Sequence, residues 1–370
     1  MASASEKSDN FTPNNLGIKY REEEVERFMV ECMMTQGVSR DRATTLAQVL
    51  VAADVRGHYS HGLHRLGHYI NDVKNNLCDA GTTPTIVKES VSTALVDGNN
   101  GLGPVVGKFA MDLAIRKAQT TGIGWVCAKG SNHYGIAGWY TMRAAKQGLV
   151  GVSFTNTHPV VVPTRGKQGA LGTNPISVAA PAEGDDSFVL DMSTSVVAYG
   201  KVEVAHTKNE AIPEGWAVDK HGCMTTSSAE CLDGGFIMPL GGPELHSGYK
   251  GFGLSMMVEI FCGIMSGSSY GPNLNSLLRK DQPADLSHCF VAVNPAFFAP
   301  GFEERLGDLM SHCRNMEPID TNKPVLVAGD PERARTDQVK KDGGITYHIN
   351  QVKEAWQLAE YLGVSPMQWI

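Results

Sequence analysis

The 370-residue chain lacks several features that assign proteins quickly to a class. None of its eight cysteines (Cys32, Cys78, Cys127, Cys223, Cys231, Cys262, Cys289, Cys313) stands in a C-x-x-C pair. They read as reduced, mostly buried thiols, which points to a reducing compartment, the cytoplasm. There is no Lys/Arg-rich run, and the formal net charge of −7 argues against nucleic acid as a partner. No uninterrupted apolar stretch reaches the length that spans a membrane. The opening MASASEKSDN has no apolar signal-peptide core, and residues 1–18 are expected to form a disordered tip. Internal repeats and low-complexity segments are absent. So is a G-x-x-x-x-G-K-[ST] phosphate loop, and no serine or cysteine is read as an activated nucleophile.

What is present describes a soluble globular protein, 42% hydrophobic and 19% charged. Its length suggests two or three domains. Forty glycines spread along the chain predict many tight turns. Residues 20–55 read as helical, with Asp41 as a cap and Ala43, Leu46, Leu50 and Ala53 on one face. The stretch 56–70, RGHYSHGLHRLGHYI, predicts a glycine break and a second helix, and Pro84 suggests a boundary near Gly81. Beyond it, strands are expected at 91–97, 123–128, 149–155, 176–180, 187–192 and 288–294. A helix carrying Val106, Phe109, Ala110 and Leu113 follows the first strand. Further helices are expected at 136–147, from about Leu254 to Met265, at 303–315 and at 351–362. This is an α/β middle with helical ends.

Three stretches carry candidate chemistry. In SNHYGIAG, 131–138, His133 sits between a strand and a helix. Unpaired N–H groups at a helix start disfavour imidazolium, which would keep the ring neutral and able to accept a proton. Capping or packing of the turn accounts for His133 equally well at this point. The second stretch holds His58, His61, His64 and His68. Metal spacing is present, but no Asp, Glu or Cys is interleaved, so no metal site is assigned. His61, Arg65 and Tyr69 at four-residue spacing would form a polar stripe in which Arg65 clamps a carboxylate bidentately, with Ser60 beside it. A solvated polar face is the competing reading. The third is Tyr249-Lys250-Gly251, where a lysine at a helix start is explained either by a bound anion or by a flexible surface turn. Gly101-x-Gly103-x-x-x-Gly107, after a strand and before a helix, is a weak match to a dinucleotide turn, with Val106 where the third glycine belongs. A non-catalytic scaffold binding a metal or nucleotide through the histidine cluster is the alternative from another class.

RGHYSHGLHR, GSNHYGIAGWY, NTHPVVVPTRG, LGTNPISVAAP, LDMSTSVVAYGKV and GYKGFGL occur in this order. With them the chain, from about Tyr20 onward, resembles the malate/L-lactate dehydrogenases of the non-Rossmann kind. Ureidoglycolate and sulfolactate dehydrogenases, 2,3-diketogulonate reductase and piperideine-2-carboxylate reductase also belong to that family. The resemblance implies a non-Rossmann mixed-sheet NAD(P)-binding domain, 81–304, and a helical substrate and dimer domain, 19–80 plus 305–370. It implies a homodimer, NAD or NADP as cofactor, and a small 2-hydroxy or 2-oxo acid as substrate. Malate/oxaloacetate comes first, with lactate, ureidoglycolate or a cyclic imino acid as alternatives. His133, then His61, are implied as proton acceptors, and Ser60, Arg65, Tyr69 and His158 as substrate contacts. Thr157, Asp191, Met192, Ser193, Lys250, Arg305 and Gly329 are implied as cofactor contacts. Many relatives carry a histidine where Tyr249 stands and an acidic or small residue at His158.

Overall fold

Helix Arg40–Val55 buries Ala43, Leu46, Leu50 and Ala53 completely, so the stripe expected from spacing is its core face. The computed structural model of the protein describes residues 17–275 and 282–370. Its contacts define two units, one from the chain up to Gly67 together with Ala334–Ile370, the other spanning His68–Arg333.

In the smaller unit, residues 1–16 of the expected tip lie outside the described residues. Ile18 is not part of a tip, because strand Ile18–Tyr20 pairs antiparallel with Ile345–Tyr347. The helix expected over 20–55 is two helices, Glu22–Met34 and Arg40–Val55, with Gly37 left-handed between them at φ 79°. Asp41 does not cap the second. Ser39 holds the N-cap position in extended backbone, and Asp41 lies in the first turn, where its charge complements the helix dipole. The helix expected within 56–70 begins only at Leu66. Two 3-10 turns, Tyr59–His61 and Leu63–Arg65, precede it, separated by Gly62 at ψ −134°. His61, Arg65 and Tyr69 therefore do not form one helical stripe.

The larger unit is built on a seven-stranded sheet. Its order is Thr85–Glu89, Thr93–Asp97, Ile123–Ser131, Leu286–Val293, Val150–Thr155, Ile176–Pro181, Ser187–Met192. Thr93–Asp97 and Ile123–Ser131 run parallel, joined by helix Gly103–Thr121, and every other neighbouring pair is antiparallel. The sheet is mixed, as expected. Leu286–Val293 is buried along nearly its whole length. Alternation sends Phe290 and Ala292 into the cluster with Val106, Ala110, Tyr134 and Tyr140, and Cys289 and Val291 into the one with Val258 and Cys262. Helices Gly103–Thr121 and Gly138–Ala145 thus cover one face, and helix Gly248–Glu259, continuing as the π turn Ile260–Ile264, covers the other.

The unit boundaries differ from those expected at residues 80 and 305. Residues 68–80 and 305–333 belong to the larger unit, where Arg314 pairs with Asp186 at 2.6 Å and Asp330 at 2.7 Å. The chain changes unit inside helices Leu66–Lys74 and Asp330–Asp342 rather than in loops, so no break in secondary structure marks either boundary.

Candidate active site

The first candidate turn belongs to the smaller unit. Asp54, fully buried near the end of helix Arg40–Val55, accepts the Leu63 N–H at 2.8 Å and the Tyr347 hydroxyl at 2.7 Å. Burial pushes its carboxyl pKa up to about 7, against the lowering effect of those two hydrogen bonds. Within the turn, Ser60 Oγ lies 2.9 Å from His61 Nδ1, and Arg65 Nε donates to the Ser60 carbonyl at 2.8 Å. Anchored by Nε, the guanidinium keeps its two terminal nitrogens for a carboxylate. Burial, then the Arg65 charge, then His58 push His61 down to about 4, so the ring is neutral at physiological pH.

The second turn follows strand Ile123–Ser131. Asn132 Nδ2 donates to the carbonyl of Gly101 at 2.9 Å and to Oδ1 of Asn100 at 3.1 Å, fixing the turn on the 98–101 loop. A Cβ on Gly103 would lie 2.2 Å from the His133 carbonyl oxygen, and one on Gly107 would lie 2.7 Å from the Tyr140 ring. The Gly101–Gly107 pattern thus lets a helix approach the His133 turn and its following helix, which accounts for the glycines without a dinucleotide loop. Tyr69 Oη is 2.6 Å from His133 Nδ1, and the Gly135 N–H donates to the same nitrogen at 3.3 Å. An amide hydrogen directed at Nδ1 requires a lone pair there. In the neutral ring Tyr69 is therefore the donor and Nε2 carries the proton. The helix after this turn starts at Gly138, and its first N–H donates to Asp191 Oδ2 at 2.7 Å. The group at the helix start is Asp191, not His133 as expected, and the carboxylate there suits the positive helix end.

Two buried polar residues outside the sequence expectations tie loops of the larger unit together. His288 bonds Ser131 Oγ through Nε2 at 2.8 Å and Thr155 Oγ1 through Nδ1 at 2.7 Å, and its ring stacks on Tyr134 at 4.5 Å. Burial lowers its pKa to about 3. Glu259 accepts from Asn174 Nδ2 at 2.9 Å and Asn156 Nδ2 at 3.2 Å, and Asn174 Oδ1 accepts the Thr157 N–H at 2.9 Å. One carboxylate thereby links the helix that carries Lys250 to both loops beside Thr157. Each residue had a sequence signal, a single ionisable histidine or carboxylate inside a largely apolar run (LSHCFVAV and GLSMMVEIF), as Asp54 has in LVAADV.

The remaining candidates divide. Lys250 lies exposed in the first turn of helix Gly248–Glu259, its ammonium 6.0 Å from the Tyr249 ring centroid, and no carboxylate pairs with it among the described residues. An uncompensated cation at a positive helix end fits an anionic group such as a nucleotide phosphate. Met192 pairs with Ile176 at the end of the sheet, and Ser193 Oγ donates to the Ser195 carbonyl at 3.2 Å. His158 uses Nδ1 on the Asn275 carbonyl, and burial lowers its pKa. Arg305 turns back onto the carbonyls of Pro300 and Ala299. Gly329, at φ 100°, lets its loop approach Val189, where a Cβ would meet the neighbouring Cβ at 3.1 Å. The histidines take separate partners: Ser60 for His61, Glu354 for His64 at 3.8 Å, Asp72 for His68 at 3.3 Å. Among the described residues no three His, Cys, Asp or Glu side chains are placed to hold a metal ion. Gly267–Gly271 has the G-x-S-x-G spacing, but it follows a helix rather than a strand, and Ser269 Oγ bonds Asp285 at 2.6 Å.

A mixed sheet that is not doubly wound and a histidine paired with a tyrosine hydroxyl fit a proton-coupled hydride-transfer enzyme. The malate/L-lactate dehydrogenase family profile matches residues 20–355. The chain is 38% identical over 354 residues to malate dehydrogenase of Pyrococcus abyssi, covering 95% of this chain and 97% of that one. It is 35% identical to L-sulfolactate dehydrogenase of Methanocaldococcus jannaschii, over 94% of this chain and 98% of the relative. The solved structure of malate dehydrogenase from Pyrococcus horikoshii superposes with a TM-score of 0.87 at 35% identity, over 97% and 99% of the two chains. The chain belongs to the malate/L-lactate dehydrogenase family. It is a 2-hydroxy acid dehydrogenase that works with a nicotinamide cofactor.

Proposed function

We propose that the chain interconverts malate and oxaloacetate, with NAD or NADP as hydride carrier. Arg65 pairs with the carboxylate beside the reacting carbon, with Ser60 and His61 completing that part of the site. His133 is the proton acceptor. The observation that carries this assignment is the Tyr69 hydroxyl 2.6 Å from His133 Nδ1, on a nitrogen whose lone pair also receives the Gly135 amide. Tyr69 passes its own proton to Nδ1 as it takes the proton of the substrate hydroxyl, and the reverse transfer serves reduction. When bound, the nicotinamide accepts or supplies the hydride at the same carbon. Lys250, Thr157 and Ser193 hold the cofactor. Met192 does so from the end of the sheet, and Asp191 by fixing the helix after His133. Arg305 and Gly329 shape its outer contacts.

His61 is the weaker base, because a pKa of about 4 leaves little driving force for proton uptake near neutrality. Malate is preferred among 2-hydroxy acids on the 38% identity to a malate dehydrogenase over 95% of this chain. We assign His158 to the distal carboxylate of malate, an anion that would offset the lowering of its pKa by burial. The test is a panel of oxaloacetate, pyruvate, sulfopyruvate and a cyclic imino acid, each with NADH and NADPH, followed by loss of nicotinamide absorbance. Oxaloacetate is expected to give the highest kcat/KM. Preference for any other acid would displace malate while leaving the class intact.

A further inference from the structure

We propose that Asp54 is a positioning residue of the substrate segment, a buried anchor that sets the corner at Gly62–Leu63 and, through it, Ser60, His61 and Arg65. Asp54 touches neither His61 nor Arg65 through any contact described above. Its Oδ2 receives both the Leu63 amide at 2.8 Å and the Tyr347 hydroxyl at 2.7 Å. The corner presses on the carboxylate so closely that a Cβ at Gly62 would lie 1.9 Å from Oδ1. Gly62 joins the two 3-10 turns, one ending at His61 and the other at Arg65. A shift of this corner therefore moves both side chains together.

As a purely structural device the arrangement is a poor one. Oδ1 is buried with no hydrogen-bond partner, and a buried carboxylate left partly unpaired costs stability that an apolar side chain would not. What it secures is a fixed turn. Leu63 N–H has no helical partner of its own at this bend, and Tyr347 comes from the ribbon strand Ile345–Tyr347 at the far end of the sequence. The anchor thus fastens the substrate turn to the end of helix Arg40–Val55, nine residues before Leu63, and to the C-terminal ribbon, remote in sequence. A turn that must present a planar guanidinium at a set angle needs such support from outside its own chain segment.

The inference rests on the assignment of Arg65 and its neighbours to the substrate, and its test separates the two. Steady-state kinetics with oxaloacetate would be run on Asp54→Ala, Asp54→Asn and Tyr347→Phe, with hydrogen exchange followed across residues 57–66. Asp54→Ala should raise KM for the 2-oxo acid about tenfold or more while leaving KM for the nicotinamide nucleotide within about twofold. Asp54→Asn, which keeps an oxygen acceptor, should restore most of the loss. Tyr347→Phe should lie between the two, and serves as the deciding variant if Asp54→Ala does not fold. In both Asp54→Ala and Tyr347→Phe the 57–66 amides should exchange faster than in the parent. Unchanged exchange there in folded Tyr347→Phe overturns the anchor whatever the enzyme turns over. Faster exchange with an unchanged KM for the acid overturns its positioning role. Absence of turnover by the parent enzyme on every 2-oxo acid refutes the substrate assignment alone, and exchange still decides the anchor.

Discussion

His61 and His133 are both histidines on short turns that lead into helices, and their surroundings make them different reagents. His61 shares its turn with the Arg65 guanidinium, and burial plus that cation hold it neutral far below its ordinary pKa. His133 keeps company with a tyrosine hydroxyl and a backbone amide, both directed at the same ring nitrogen, while a carboxylate occupies the helix start behind it. The first environment suits a group that binds an anion without taking a proton. The second suits a group whose basic nitrogen is already aimed at a proton donor. Residue type and local spacing are alike in the two turns, so the proposed division of labour rests on the neighbours alone.

The sharpest way to break this comparison is to remove each ring. His133→Ala should lower kcat by about 10²–10⁴-fold, whereas His61→Ala should act chiefly on KM for the acid. The reverse ranking in steady-state kinetics would exchange their roles. Tyr69→Phe should lower kcat by roughly tens of fold with little change in KM, because the hydroxyl donor is lost and the ring packing is kept. A variant with full turnover would remove Tyr69 from the proton path. Arg65→Lys should raise KM for the acid about tenfold through loss of bidentate pairing, with a smaller change in kcat.

A further effect concerns stability rather than rate. Asp54 titrates near 7 in the fold and near 3.8 when exposed, so the folded state binds the extra proton between those values. The Asp54 contribution to stability therefore falls as pH rises from about 4 to about 7, by up to roughly 4 kcal/mol for such a shift, and is flat above. Asp54→Asn should escape that loss, so its advantage in thermal midpoint should grow from pH 4 to pH 7 and then level off. His61, lowered to about 4, contributes with the opposite slope, since it favours the fold above its ordinary pKa and loses that contribution as pH falls. An advantage of Asp54→Asn that is the same at pH 5 and pH 8 would contradict the buried titration.

The ordered motifs made the family legible, and apolar spacing located most strands and the core face of helix Arg40–Val55. What stayed hidden has identifiable physical causes. Strand Thr85–Glu89 is exposed along its whole length, and helix Asp330–Asp342 buries only Val339, so neither carries an apolar period. Periodicity also suggested a helical stripe through His61, Arg65 and Tyr69, because spacing alone cannot reveal that Gly62 breaks the chain into separate turns. In the candidate site, His133 stood out by its place in a motif, but its partner Tyr69 lies 64 residues away in sequence. Glu259, His288 and Asp54 look like isolated oddities in apolar segments until their distant partners are in place.

Strand Leu286–Val293 has a consequence for how the protein is made. It lies between Ile123–Ser131 and Val150–Thr155, yet it is the last strand of its sheet to be synthesised. A growing chain holds the earlier strands as two separate ladders, each with an open edge, until almost 300 residues have left the ribosome. The late strand then closes both edges at once and brings His288 to Ser131 and Thr155. Closure of the seven-stranded sheet and assembly of the candidate-site loops at Ser131 and Thr155 are therefore one event. A nascent chain arrested before Leu286 should be open to proteases throughout that sheet, and one extended past Val293 and clear of the exit tunnel should resist them.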